Sequence, residues 1–336
     1  MKSLVCTTPG QFEYVEKEIP FIDEGWSLIK IRRVGICGTD LHAFEGTQPF
    51  FSYPRVLGHE LAGEFELGQA AGFSRGERVT FIPYFYCGTC IACRTGKENC
   101  CIQLKVCGVH IDGGMAEYLA VPDYSLIHGQ DLTYEELALI EPLAIGAHGA
   151  GRAEILPGEF VLVIGAGPIG LATMEFARIA GGKVIALDIN ANRLQFCKDT
   201  LRVDFTVNAT SGDTLERLQE ITNGDLPSVV IDATGNQKAI NDAFRYLAHG
   251  GRYVLVGLQR GDVSFSHPEF HKKEGTLMSS RNATRHDFEH VMYSIQNRSV
   301  NPSAYITHKV GFDDVKKEFA SWLNPANGVI KAMIEL

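Results

Sequence analysis

The chain has 336 residues, room for about two domains, with 45 % hydrophobic and 21 % charged residues and a formal net charge of −9. An acidic balance without a basic stripe argues against nucleic-acid binding, and no run of about 18 apolar residues is present to cross a membrane. Residues 1–14 lack the apolar stretch of a secretory signal, so a cytoplasmic protein with reduced cysteines is expected.

In the first 140 residues the alternation of apolar and polar positions predicts short strands at 27–36, 61–68, 78–85 and 116–122. They make an irregular, β-rich domain. Six of the nine cysteines fall between Cys87 and Cys107. Cys87, Cys90, Cys93 and Cys101 give the spacing x2, x2, x7, which brings four thiolates into one loop. Four sulfurs close a tetrahedral shell around zinc, so this is read as a structural site that ties down residues 83–107. The neighbouring Cys100 competes for the fourth position, and Cys101 is chosen on spacing. Cys6, Cys107 and Cys197 read as buried thiols.

From about residue 159 the rhythm changes. An apolar strand at 159–164 leads into a Gly-rich turn and a helix over 168–180, followed by strands at 183–188, 205–208, 228–235 and 250–258 with helical segments between. Strands alternating with helices predict an α/β, doubly wound parallel sheet. After about residue 281 the pattern turns helical and polar and ends in the apolar stretch 328–336.

Gly165, Gly167 and Gly170, with Pro168 and Ile169 between them, form a G-x-G-x-x-G that follows a strand and opens a helix. Asp188 ends the next strand 18 residues later. In that context the motif predicts a dinucleotide site: the turn and the helix N-terminus take the pyrophosphate. Asp188 would accept from the adenosine ribose hydroxyls and repel a 2′-phosphate, which favours NAD over NADP. Arg193 stands close to that position.

A second metal set is dispersed: Cys37, the pair His59-Glu60, and Glu141. One thiolate, one imidazole and one or two carboxylates leave zinc an open position. The spacing does not decide between Glu60 and Glu141 as the carboxylate ligand.

The segments 37–42 (CGTDLH), 58–60 (GHE), the four-cysteine loop, 141–144 (EPLA) and 165–170 (GAGPIG) occur in that order. Together they resemble the zinc-dependent medium-chain alcohol dehydrogenase family, in its sorbitol dehydrogenase-like branch of polyol and sugar-acid enzymes. Stretches 48–60, 108–114, 231–237 and 265–284 look most similar to the bacterial L-galactonate 5-dehydrogenases. The resemblance runs from about residue 25 to the end. It implies a GroES-like catalytic domain from residues 1–143 completed by 281–336, a Rossmann domain at 144–280, two zinc ions per chain, NAD, and a homodimer or homotetramer.

Carried over residue by residue, the resemblance makes Cys37, His59, Glu60 and Glu141 the catalytic-zinc positions and Thr39 and His42 a proton relay. Ile169 falls at the pyrophosphate turn, and Asp188 and Arg193 on the adenosine side. Val256, Gly257, Leu258, Ser279 and Ser280 fall beside the nicotinamide. Arg281 falls on the substrate, as does Glu141 if it is not on the metal, but the tyrosine usual after that arginine is Asn282 here. Lys272 and Lys273 are further candidate partners for a substrate carboxylate. The expected activity is oxidation of a secondary hydroxyl of a sugar acid or polyol to a ketone, L-galactonate first. Neutral polyols, L-idonate, L-gulonate and L-threonine are the alternatives within the family. A non-catalytic regulator that binds NAD and zinc is the alternative outside it.

Overall fold

The computed structural model describes residues 1–48 and 51–336. Pro49 and Phe50, within the family-like stretch 48–60, lie outside the described residues. The chain divides into two units, Met1–Glu141 with Met292–Leu336, and Pro142–Val291. Residues 281–291, expected with the first unit, therefore fall in the second. A physical reason is the capping turn at Thr284–Asp287, whose Asp287 carboxylate accepts from His148 Nδ1 at 2.9 Å within that unit.

In the first unit the long strand Trp26–Gly35 is the centre of the main sheet. The sheet order is Leu126–His128, Arg78–Phe81, Glu60–Leu67, Trp26–Gly35, Lys331–Glu335, Ile306–Gly311, and Tyr118–Pro122 also pairs with Trp26–Gly35. Its inward residues, Ile29, Ile31, Leu61 and Phe81, are fully buried together with Leu4, Leu57 and Phe319. Each such side chain contributes roughly 1.5–3 kcal/mol of apolar burial. The apolar end of the chain returns here: Met333 pairs with Gly35 and Ile334 with Val34, antiparallel.

The strand expected at 78–85 is broken in two. Arg78–Phe81 stays in the main sheet, and Tyr84–Phe85 turns away to pair with Lys105–Val106. Pro83, between them, has no N–H for a ladder. The ribbon so formed is the base of the four-cysteine loop.

In the second unit all strand pairings are parallel, in the order Phe205–Asn208, Lys183–Asp188, Phe160–Ile164, Val229–Asp232, Arg252–Leu255, Thr276–Ser279. Val161, Leu162 and Val163 are wholly buried, as expected of a strand covered on both faces. Chain order reverses between Phe160–Ile164 and Val229–Asp232. In doubly wound sheets a ligand binds beyond the carboxyl ends of the strands at such a reversal. Among the described residues no helix is long and apolar enough to cross a membrane.

Candidate functional site

Cys37 follows the central strand and precedes the helix Gly38–Glu45. His59 and Glu60 sit at the start of the neighbouring strand Glu60–Leu67, and Gly35 pairs with Glu60 across the two. A side chain at Gly35 would put its Cβ 2.2 Å from Glu60 Oε2, so glycine is what makes room for the carboxylate. One ligand atom each from Cys37, His59 and Glu60 lie within 4.8 Å of one another.

Asp40, which spacing did not single out, organises this group. It is 1 % exposed, and its carboxylate accepts from Cys37 N at 3.0 Å and Gly58 N at 3.1 Å, stapling the two ligand-bearing loops together. Its Oδ1 also lies 3.8 Å from His59 Nδ1. The sequence signal was a cap-like spacing, an acid three residues after Cys37. Lys331 was missed for a different reason, since it is remote in sequence. Its ammonium is buried and donates to Glu60 Oε1 at 2.5 Å, Glu60 Oε2 at 2.6 Å and Ile36 O at 3.1 Å. Burial alone would push the lysine toward neutrality, but Glu60 and the neighbouring anions hold its proton above the usual range.

Glu141 stands in the first turn of the helix Ile140–Arg152 and is 5 % exposed. It does not join the three-residue group. Its Oε1 accepts instead from the hydroxyl of the buried Tyr84. Burial, with Glu60 nearby, pushes its pKa up to about 7, against the opposing pull of His59 and the Tyr84 hydrogen bond.

These residues fit a divalent cation. Burial opposes a charge on His59, yet Asp40, Cys37 and Glu141 around it raise its proton affinity well above the imidazole norm. Surroundings that hold a proton so firmly would hold a dication too. His59 Nδ1 is buried without a hydrogen-bond partner. Soft sulfur, imidazole and a carboxylate are a zinc donor set, and a carboxylate beside the ring is the usual support for a ligating histidine.

Thr39 is half-buried in the first turn of the helix Gly38–Glu45. His42 is exposed, with Nδ1 at 3.3 Å from both Glu45 Oε2 and Thr47 Oγ1.

Cys87, Cys90, Cys93 and Cys101 also gather their sulfurs within 4.8 Å, whereas Cys100 is exposed. Backbone N–H groups of Cys87 and Gln103 point at Cys101 Sγ, at 3.3 and 3.4 Å. Hydrogen bonds from the Thr89 backbone and hydroxyl lower the Cys87 thiol to about 6. Such donors favour thiolates, the form that binds a metal.

In the second unit Gly165 has φ +99°, Gly167 precedes the helix Pro168–Ile179, and a Cβ on Gly170 would stand 1.8 Å from Gly165 O. Ile169 lies in the first turn of that helix. Asp188 Oδ2 accepts from Ala166 N at 2.6 Å and Oδ1 from Asn190 N at 2.7 Å, which fixes the carboxylate against the glycine turn. Arg193 Nη1 lies 3.7 Å from where a Gly167 Cβ would be. Val256, Gly257 and the 70 % exposed Leu258 follow the strand Arg252–Leu255. Ser279 ends the next strand and Ser280 follows it, and the Ser280 hydroxyl is a buried polar atom without a partner. All these positions lie at the carboxyl ends of the parallel strands.

The turn is held by a residue that spacing did not reveal. Asp232, wholly buried, accepts from the backbone of Thr234 and Gly235 at 3.1 and 3.2 Å, and its carbonyl accepts from Val256 and Gly257. Arg281 is exposed just beyond the strand Thr276–Ser279. Lys273 is not available to a substrate as expected. Its ammonium donates to the carbonyls of Arg245 at 3.0 Å and Leu247 at 2.6 Å. Lys272 is exposed beside Glu269.

Residues 23–131 match the family described as alcohol dehydrogenase GroES-like domain, and residues 168–297 the family described as zinc-binding dehydrogenase. The chain is 42 % identical over 336 residues to L-galactonate-5-dehydrogenase of Escherichia coli K12, covering 99 % of this chain and 98 % of that protein. The structure of an alcohol dehydrogenase, rspB, from E. coli CFT073 complexed with NADH matches with a TM-score of 0.93 at 30 % identity, over 100 % and 99 % of the two chains. A zinc-binding dehydrogenase of Sinorhizobium meliloti 1021 bound to NADP matches with a TM-score of 0.91 at 27 % identity, over 100 % and 99 %.

Proposed function

Because the chain belongs to the zinc-type medium-chain alcohol dehydrogenase family, and is thus an oxidoreductase acting on CH–OH groups, we propose that it oxidises a secondary hydroxyl of an L-galactonate-like sugar acid to the ketone with NAD. The observation that carries the substrate class is the 42 % identity, over essentially the whole of both chains, to an L-galactonate-5-dehydrogenase. The buried group Cys37, His59 and Glu60 supports the chemistry, since it offers an ion three protein ligands rather than four.

When bound, zinc supplies Lewis acidity that makes a hydroxyl proton easy to remove, and the nicotinamide supplies the hydride acceptor. The rest falls to side chains. Asp40 orients the Cys37 and His59 loops. The Thr39 hydroxyl accepts the substrate proton while giving its own proton onward, and His42, open to water, passes a proton out to solvent. Imidazole, which has one nitrogen to accept a proton and another to release one, suits that exchange. Arg281 offers a planar fork to the substrate carboxylate. Asp188, fixed by two backbone N–H groups, takes the adenosine ribose and disfavours a 2′-phosphate. Cys87, Cys90, Cys93 and Cys101 hold a second, structural zinc. A homodimer or homotetramer in the cytoplasm completes the reading; six cysteines clustered within residues 87–107 favour metal over disulfides.

The test is a panel of L-galactonate, L-idonate, L-gulonate, sorbitol and L-threonine, with NAD and with NADP, on metal-quantified protein. L-galactonate with NAD should give the highest kcat/KM, with zinc near two per chain. Equal turnover of sorbitol and L-galactonate would remove the carboxylate pocket from the account.

A further inference from the structure

Two carboxylates border the Cys37–His59 pair, and each is held by a different partner. Glu60 belongs to the compact ligand group while Lys331 grips both of its oxygens. Glu141 lies outside that group, and its Oε1 accepts from the hydroxyl of Tyr84. Tyr84 is 4 % exposed and is fixed from the other side: it lies in the two-stranded ribbon, paired with Val106, three residues before Cys87. The phenol is therefore a rigid donor, set by the base of the cysteine loop. The ligand count makes this matter. A thiolate, an imidazole and one carboxylate leave a tetrahedral ion one open position; a second carboxylate would close it. A neutral phenol can restrain a carboxylate without cancelling its charge, so the carboxylate keeps its capacity to accept from another hydroxyl.

We propose that Tyr84 is a positioning residue that holds Glu141 away from the ion, keeping one coordination position open and aiming the carboxylate at a substrate hydroxyl. This rests on the reading of Cys37, His59 and Glu60 as the ion's ligands. Loss of the Tyr84 hydroxyl removes the donor that restrains Glu141, and the carboxylate turns onto the ion as a fourth ligand.

Protein loaded with Co²⁺ reports the open position directly through its visible absorption. In the wild type, azide should shift the Co²⁺ bands, and Cys37→Ser should abolish that response. In Tyr84→Phe the response should need about tenfold more azide, with kcat/KM lowered by a similar factor, the scale of effect seen for groups that orient metal-site residues. In Tyr84→Phe with Glu141→Gln the azide response should return, because a carboxamide is a poor ligand for the ion. Glu141→Gln alone should retain it. An unchanged azide response in Tyr84→Phe, or its failure to return in the double variant, overturns the assignment to Tyr84. A response lost in Glu141→Gln alone does so as well. A wild type whose Co²⁺ spectrum is indifferent to Cys37→Ser overturns the metal reading itself, and the proposal with it.

Discussion

Lys331 and Glu60 are 271 residues apart in sequence and form a buried ion pair, with Nζ 2.5 and 2.6 Å from the two carboxylate oxygens. At 2 % and 0 % side-chain exposure neither charge has water to fall back on. Breaking a buried pair from one side leaves an uncompensated charge and costs about 3–5 kcal/mol. Lys331→Met should lower stability by that amount in denaturant unfolding. Lys331→Arg should lose less.

Gly35→Ala is a more local probe of the same carboxylate. The added Cβ would stand 2.2 Å from Glu60 Oε2 and 2.9 Å from Glu60 Cβ, so Glu60 must shift. Metal analysis should then find close to one zinc per chain in place of two, retained by the four-cysteine loop. A variant that keeps both ions would separate Glu60 from metal binding.

Gly170→Ala tests the nucleotide turn. Its Cβ would stand 1.8 Å from a backbone oxygen, Gly165 O, which cannot rotate away. Calorimetric titration should show NADH binding weakened by at least about tenfold, equivalent to 1.4 kcal/mol or more, while metal content stays the same.

The capping turn at Asp287 predicts a pH dependence. Burial by itself would raise this carboxyl, but hydrogen bonds from His148 and Thr284 outweigh it and hold the group below the ordinary aspartate value. A lowered folded-state value means that the stabilisation is complete above the unfolded aspartate pKa of about 3.9, and fades as pH falls through the folded one. Asp287→Ala should cost about 1–2 kcal/mol near neutral pH. The gap between the two unfolding curves should close in acid; a gap independent of pH would refute the ionic cap.

Removal of metal should expose thiols in a fixed order. In the intact protein Cys100, the exposed cysteine, should react first with a disulfide reagent. A chelator should add Cys37 together with Cys87, Cys90, Cys93 and Cys101. Reactivity of Cys87 should already be substantial near pH 6, where Thr89 sets its thiol.

Much of this architecture was legible because it rests on local pattern. The apolar run before Gly165, the glycine spacing and the acid ending the next strand all belong to one stretch of about thirty residues, and the strand Lys183–Asp188 has the bounds expected of it. The four cysteines are equally local. What stayed hidden depends on folding distant segments together. Lys331 reads as an ordinary surface lysine until its strand docks beside Gly35. Tyr84 reads as one more strand aromatic until Pro83 turns it out of the main sheet toward Glu141. Lys273 misleads in the opposite direction: charge suggested a ligand, and the fold gives it to backbone carbonyls.

The placement of Lys331 also has a consequence for biosynthesis. A ribosome releases Cys37, His59 and Glu60 early, then the entire nucleotide-binding unit, and the strand Lys331–Glu335 only afterwards. Until that strand docks, Glu60 has no ammonium beside it and the sheet edge at Arg33–Gly35 stands open. The nascent polypeptide therefore carries the Cys37, His59 and Glu60 group unfinished until the strand Lys331–Glu335 has been made and has docked.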